Sequence, residues 1–574
     1  MKNYIALSLL FISFSVFSQS QIKVTNLTAD EILKGNYNPT DYNLANTNFT
    51  PEELPVLIQN SISPDSLKAY ITKLSQFGTR NSGSDTTSAT QGIGAARKYI
   101  LQKFQQFQTQ SNNRLQPGYL RFTNVICNQW THKNVIAVLP GTDVSNHEVI
   151  LIEGHMDSRC DVSCDINCKA EGVEDNATGT ALVMELARVM SKYQFNHTIL
   201  FMATTAEEQG LLGADAMSDY IQKENIPLKA VFNNDVIGGI ICGETSSPPS
   251  CPGLNDVDSL NTRIFSFGGF NASSKSLARY SKLQYKESIP NNGIKLSLHI
   301  MTNEDRIGRG GDHIPFRQKG FPAIRFTSAN EHGDASNGPN YTDRQHTEDD
   351  ILGVDTDGDN VVDSFFVDFN YLKRNSVINA TAAANCANSP KTPSFKIDSL
   401  DQDLMRVTIT SPEDFPTYRI GIRTNTNDWD SVYTSTSKSI EIAINDSNAY
   451  YVSVANVNEY DIESLFSEEQ LLVLTKVSEK SSLKSGIEIW QNKPNPFDES
   501  TIIPVFASED NEGKKALLQI TDLNGNLVFA EEQTLKAGLN EWPYHHGFGA
   551  LGTFVYSVYV NNQLVGAKKM TFAY

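Results

Sequence analysis

Between Asn134 and Phe326 short apolar runs alternate with helical stretches, and this alternation restricts the chain to one class of fold. Runs at Asn134–Leu139, Val149–Gly154, Thr198–Ala203, Ala230–Phe232 and Ala323–Phe326 read as strands, with helices predicted at Ala177–Met190 and Leu211–Ile221. Strands separated by amphipathic helices predict an α/β fold, a mostly parallel sheet sandwiched by helices. In such sheets the crevice opens at the carboxyl ends of the strands, so residues just past each run are the ones to inspect.

Those residues are chemically unusual. The run Val149–Ile152 leads into Glu153-Gly154-His155-Met156-Asp157, which puts an imidazole at a strand tip and a carboxylate two residues on. A carboxylate so placed can orient a histidine that binds a metal. Asp175 directly precedes the predicted helix at Ala177 and has two oxygens with which to bridge two cations. The next run ends in Glu207-Glu208, a pair whose repulsion requires a cation or a proton unless it is only the acidic first turn of a helix. Asp235 follows the run at Ala230, and a second imidazole comes at His346. Each motif alone is commonly a surface or capping residue; their joint occurrence at successive strand ends points to metal-assisted hydrolysis.

From about Asn134 to Ala384 the chain resembles the dinuclear-zinc aminopeptidase family that includes bacterial leucyl aminopeptidases, with glutamate carboxypeptidases and glutaminyl cyclases as relatives. The resemblance implies a zinc peptidase domain with two Zn2+: His155 and Asp235 on one, Glu208 and His346 on the other, Asp175 bridging both. It implies Glu207 as general base, Asp157 as orienter of His155, and Asp312, in Gly311-Asp312-His313-Ile314-Pro315-Phe316, as a structural or supporting residue. Two cations would acidify a water and polarise the scissile carbonyl, with Glu207 carrying the proton to the leaving amine. The chain departs from the pattern at Gln345, where some members place a tyrosine before the final histidine. An aminopeptidase acting on peptide substrates is the expected activity. A carboxypeptidase of the same fold, a glutaminyl cyclase and a non-catalytic binding protein are the alternatives, although no ligand or base is missing.

The 574-residue length predicts several domains. Residues 1–18 have the order of a secretory signal peptide, a basic start and then an apolar run to Phe17. Residues 19–116 read as an N-terminal segment, either a pro-region or cap or the first helices of the catalytic domain, with a helical pattern over Thr87–Phe107. Residues 117–386 form the catalytic domain, and a shift to Asn, Pro, Ser and Thr near Ala387–Ser394 marks its end. Beyond it the periodicity is all strand. Residues 393–475 read as a fibronectin type III-like β-sandwich, and residues 487–574 as a second β domain after a Lys/Ser-rich linker. Gln491–Phe497, Leu518–Gly525 and Gly566–Met570 resemble the sorting domain of type IX secretion, which implies the secretion machinery as a partner and release or surface display through the periplasm.

A net charge of -19 argues against nucleic acid, and outside the leader no run is long and apolar enough for a membrane span. Seven cysteines in an exported chain allow three disulfides and leave one thiol; Cys160, Cys164 and Cys168 suit a loop disulfide better than a further metal site. Asp355, Asp357 and Asp359, with Asp363 beyond, pack oxygens as Ca2+ loops do, without the closing glutamate of an EF-hand; a solvated acidic turn is the plainer reading.

Overall fold

The computed structural model describes residues 22–44, 49–243, 254–289, 295–306, 309–331, 344–401, 403–424, 427–444, 449–473, 486–497, 500–546, 552–561 and 563–572. The leader at residues 1–18 lies outside the described residues, as do most of the linker and Cys251. Among the described residues no helix is long and apolar enough to cross a membrane.

A nine-stranded sheet forms the body of the first part. Its strands are β1 (Lys23–Val24), β2 (Gln116–Ile126), β3 (Gln129–Leu139), β4 (Val149–His155), β5 (Thr198–Thr204), β6 (Leu228–Asn234), β7 (Asn261–Ser266), β8 (Ser297–Ile300) and β9 (Ala323–Ser328). They lie in the order β1-β2-β3-β5-β4-β6-β9-β7-β8. The centre, β5-β4-β6-β9, is parallel, while β1, β2 and β3 join one flank antiparallel and β7 pairs antiparallel with β9 on the other. β4, β5 and β6 are buried along their whole length, which explains their unbroken apolar reading.

Nine helices among the described residues cover the two faces: α1 (Leu27–Leu33), α2 (Leu54–Ser61), α3 (Pro64–Ser75), α4 (Gly92–Gln110), α5 (Thr178–Met190), α6 (Leu212–Lys223), α7 (Ser273–Ser288), α8 (His313–Gln318) and α9 (Phe369–Asn388). The larger core joins one sheet face to α2, α3, α4, α5, α7 and α9; α1, α6 and α8 close the other. α3 shows why these segments are helical. The Ser63 hydroxyl accepts the Ser66 amide, Pro64 takes the first helical position, and Leu67, Tyr70, Ile71 and Leu74 bury one stripe. α5 and α9 are buried nearly all round. α7 and α9 escape a sequence reading, α9 because its run of Ala, Asn and Thr lacks the polar face that marks an amphipathic helix.

The N-terminal residues are integral to this unit. β1 pairs with β2, and Ile71, Leu74, Ile100 and Phe104 lie in the larger core. Disulfides join Cys127 to Cys164 and Cys160 to Cys168; Cys242 is also disulfide-bonded, and Cys386 is free and buried.

Two antiparallel sandwiches follow. The first packs Phe395–Asp401, Leu404–Ile409 and Ser439–Ala443 against a sheet of Ser431–Ser435, Thr417–Arg423, Ala449–Val457 and Gln470–Val473. The second has three strands, Ile487–Ile489, Ser500–Ala507 and Gly538–His545, over four, Leu527–Thr534, Lys515–Thr521, Gly552–Val560 and Gln563–Phe572. The first sandwich shares core with the α/β unit through Ala455 and Phe466. At that seam the buried Glu469 carboxylate accepts from Arg279 Nη1 at 2.8 Å and from Arg423 Nε at 2.6 Å.

Candidate metal centre

β4 and β6 lie side by side, so the residues leaving their carboxyl ends converge. Close approach of α5 to these strands brings the third group in. A Cβ at Gly179 would sit 2.1 Å from Asn234 O and one at Gly154 would sit 2.8 Å from Gly179 C, so the helix can start here only because both residues are glycine. The turn before α5 is irregular, with non-helical backbone at Asp175 and Asn176 and a cis peptide between them. Asn176 fastens it: Oδ1 accepts Gly179 N at 2.9 Å and Val236 N at 3.3 Å, and Nδ2 donates to Asn234 O at 2.8 Å.

Five predicted ligands come together. His155 Nε2 lies 3.1 Å from Asp235 Oδ1 and 3.1 Å from Asp175 Oδ1. His346 Nε2 lies 3.1 Å from Asp175 Oδ2 and 3.1 Å from Glu208 Oε2. Asp175 thus turns one oxygen to each imidazole. Glu207 joins the first group, its oxygen within 4.8 Å of the His155 and Asp235 donor atoms. These spacings are near the ~3.3 Å edge of a tetrahedron whose ligands stand about 2 Å from zinc. Glu208 Oε1 is buried with no hydrogen-bond partner, an orphan acceptor of the kind a cation satisfies. The residues present therefore fit a zinc pair.

Backbone strain surrounds the same residues. Ala206, Val236 and His346 have φ of 59°, 56° and 60°, and for β-branched Val236 that conformation is a true outlier. Val236 is held by its amide on Asn176 and by its carbonyl, which accepts Ser328 N at 2.8 Å and Thr327 Oγ1 at 3.0 Å.

Asp157 differs from its expected part. His155 Nδ1 meets the Asp157 main-chain carbonyl at 3.1 Å, and the carboxylate stands off at 3.8 Å. The side chain points to the neighbouring strand end, where its oxygens accept the amides of Glu207 at 3.4 Å and Glu208 at 3.3 Å, with Ser82 Oγ donating to it at 3.4 Å. Burial raises the Asp157 carboxyl to about 6. Asp312 lies deeper: it accepts the Thr204 hydroxyl on Oδ2, its Oδ1 has no hydrogen-bond partner, and burial raises it to about 7. For Glu207 burial is again the largest cause of a strongly raised carboxyl; His155 opposes it, and Asp235, Glu208 and Asp312 add to it.

Three supporting residues escaped the sequence reading. Arg325 Nη2 lies 3.1 Å from Asp235 Oδ2, so Asp235 has one oxygen engaged there and the other on His155. Its signal was a lone arginine within an apolar strand, which must be paired when buried. Asp350, also buried, accepts the amides of Glu174 at 2.7 Å and Asp175 at 3.0 Å. Arg80, from the N-terminal segment, donates to the carbonyls of Met156 at 2.7 Å and Gly172 at 2.8 Å and so ties the loop between His155 and Asp175. Gln345 lines the same cavity as the site, and its amide donates to Glu331 Oε1 at 3.3 Å.

The predicted ligands line a cavity of about 400 Å³ whose walls include Arg159, Arg306, Arg309 and Arg325. The acidic loop is elsewhere in character. Asp355, Asp357 and Asp359 are exposed and bring their oxygens within 4.8 Å of one another, while Asp363 stands outside the group, its oxygens taken by Thr356.

The sequence profile of peptidase family M28 matches residues 134–362. A probable zinc metalloprotease of Leptosphaeria maculans is 30% identical over 372 residues, covering 62% of this chain and 81% of that protein. One from Pyricularia oryzae is 30% identical over 371 residues, covering 60% and 71%. Among solved structures, the LapA aminopeptidase of Legionella pneumophila aligns with a TM-score of 0.42 at 18% identity, over 61% of this chain and 78% of that one.

Proposed function

Since the chain belongs to peptidase family M28, we propose that it is an exported zinc-dependent exopeptidase that holds two zinc ions and releases N-terminal residues from peptides. One observation carries the reading: Asp175 divides its two oxygens between His155 and His346 at 3.1 Å each, with Asp235 and Glu208 completing the two sides and Glu207 beside them. Zinc, when bound, supplies Lewis-acid polarisation of the scissile carbonyl and acidifies the attacking water. His155, Asp235, Asp175, Glu208 and His346 hold it.

Glu207 accepts the proton of the attacking water and delivers it to the departing amine. Its carboxyl, raised by burial and by neighbouring carboxylates, suits a group that must both take and give a proton. Asp157 positions it by accepting its amide. Arg325, by engaging one oxygen of Asp235, directs the other toward His155. In this reading the peptide end occupies the cavity of about 400 Å³ that these residues line.

In the same reading the leader exports the chain, residues 393–475 form a fibronectin type III-like module, and residues 487–574 address it to type IX secretion.

The test compares one short peptide with a free N-terminus against its acetylated form, each with and without a zinc chelator. Chelator-sensitive cleavage of the free form alone supports the aminopeptidase. Cleavage of both from the C-terminal end makes it a carboxypeptidase, and cleavage of neither, with N-terminal glutamine cyclised, makes it a cyclase.

A further inference from the structure

The two carboxylate oxygens of Glu208 are unequal. Its side chain is 3% exposed; Oε2 accepts Arg159 Nε at 2.7 Å and lies 3.1 Å from His346 Nε2, whereas Oε1 has no hydrogen-bond partner. A short charge-assisted bond of this kind fixes both the rotamer of a flexible side chain and the choice of the oxygen that stays open. The other side of the site uses the same device, since Arg325 Nη2 takes Asp235 Oδ2 and leaves Oδ1 toward His155. Arg159 can hold Glu208 because its own place is fixed. It stands in the loop between β4 and α5, where its Nη1 donates to the carbonyls of Cys160 at 3.1 Å and Asp161 at 2.8 Å. Two disulfides tie that loop, Cys160 to Cys168 within it and Cys164 to Cys127 in the turn between β2 and β3. The Ser163 carbonyl accepts Asn81 Nδ2 at 2.8 Å and Gln209 Nε2 at 3.1 Å, which bonds the loop to the residue that follows Glu208. The remaining nitrogen of Arg159, Nη2, lies 2.9 Å from His346 Nδ1. When Nε2 of a neutral imidazole holds a metal, its Nδ1 carries the proton and no longer accepts, so the bond to Glu208 is the one that persists in a loaded site.

We propose that Arg159 is the positioning residue for the Glu208 and His346 side of the site: from a disulfide-tied loop it fixes Oε2 of Glu208 and leaves Oε1 to the zinc of that side. The inference rests on the two-zinc reading, and it gives Arg159 no part in binding substrate.

Zinc release separates positioning from charge. A guanidinium beside a ligand repels a cation, so if Arg159 acted by its charge alone, Arg159→Ala would hold zinc more tightly. Positioning has the opposite sign. The full-length parent and its variants, loaded with zinc, are dialysed against graded chelator, and the zinc that remains is read by emission spectroscopy, with no need of turnover. In Arg159→Ala one of the two ions should be held about ten- to a hundredfold more weakly, while the other leaves as it does from the parent. Arg159→Lys, whose single ammonium cannot serve the loop carbonyls and Glu208 at once, should fall between the two. Unchanged or tighter retention in Arg159→Ala overturns the assignment, and so does an equal loosening of both ions, which a general slackening of the fold would give. A parent that binds a single ion sinks the two-zinc reading instead; Arg159 then keeps its role only if release of that ion shifts by the same factor. A parent that binds no zinc overturns both.

Discussion

Asp350 holds Asp175 by its backbone: one carboxylate oxygen accepts the Asp175 amide at 3.0 Å while the other accepts the amide of Glu174 at 2.7 Å. The residue that faces both imidazoles is thereby fixed from behind by a second carboxylate that touches neither. Asp350→Ala removes both acceptors, and Asp350→Asn retains one. Zinc retention, measured by dialysis against graded chelator, should weaken roughly ten- to a hundredfold in the alanine variant and less in the asparagine variant. Wild-type retention in Asp350→Ala would mean that the irregular turn before α5 holds its shape without this support.

Glu207→Gln separates the proposed proton carrier from the proposed metal ligands. The substitution leaves His155, Asp175, Asp235, Glu208 and His346 in place, so metal content by emission spectroscopy should match the parent protein. Turnover should fall by about 10²–10⁴. Near-normal kcat would move the general base to another group.

The sequence made part of the proposed ligand set legible because His155, Glu208 and Asp235 stand where or just past where an apolar strand run stops, and strand ends in a parallel sheet are where loops converge; Asp175 and His346 come from loops well past β4 and β9. It could not reveal the way Asp157 works. A carboxylate two residues after His155 can face that histidine or the next strand end, and only the packing of β4 against β5 decides for the amides of Glu207 and Glu208. Arg159 was equally hidden, since its reach into the cavity depends on how the loop folds around its two disulfides. Asp350 lay four residues past His346 in an acidic string that reads as solvated surface. The positive φ of Val236 has no signal in a residue that ordinarily avoids it.

Arg325 pairs with three buried carboxylates: Asp235 at 3.1 Å, Asp305 at 2.7 Å and Glu331 at 2.9 Å. Arg325→Met removes the one cation that spans all three carboxylates and leaves Arg306 beside Asp305 and Glu331 and His155 beside Asp235 as their remaining partners. A loss of roughly 3–5 kcal/mol in urea unfolding is expected. Arg325→Lys should recover little of it, because one ammonium cannot reproduce a fork that spans three acceptors. A variant that unfolds with the parent would show that the carboxylates find other partners.

The seam between the α/β unit and the first sandwich supplies a pH dependence independent of metal. Burial acts to raise the Glu469 carboxyl, but the guanidinium groups of Arg279 and Arg423 overcome it and hold it at about 2, below its ordinary 4.5. A carboxyl whose folded value is depressed adds stability that is fully present above 4.5 and is lost as pH falls toward 2. Its neighbour Glu463 has the opposite sign: burial raises it to about 8, so it costs stability as pH climbs from 4.5 through 8 and contributes nothing to an acid limb. The wild-type chain should therefore be more stable than Glu469→Gln by on the order of 3 kcal/mol at pH 6, where other carboxylates affect both proteins alike. At pH 3 that gap should be distinctly smaller, because Glu469 is being protonated in the unfolded chain and less of its ionised advantage remains. Unfolding midpoints of both proteins at the two pH values measure it. A gap that stays constant from pH 6 to pH 3 would mean that the Arg279–Glu469–Arg423 cluster does not set the acid stability of the seam.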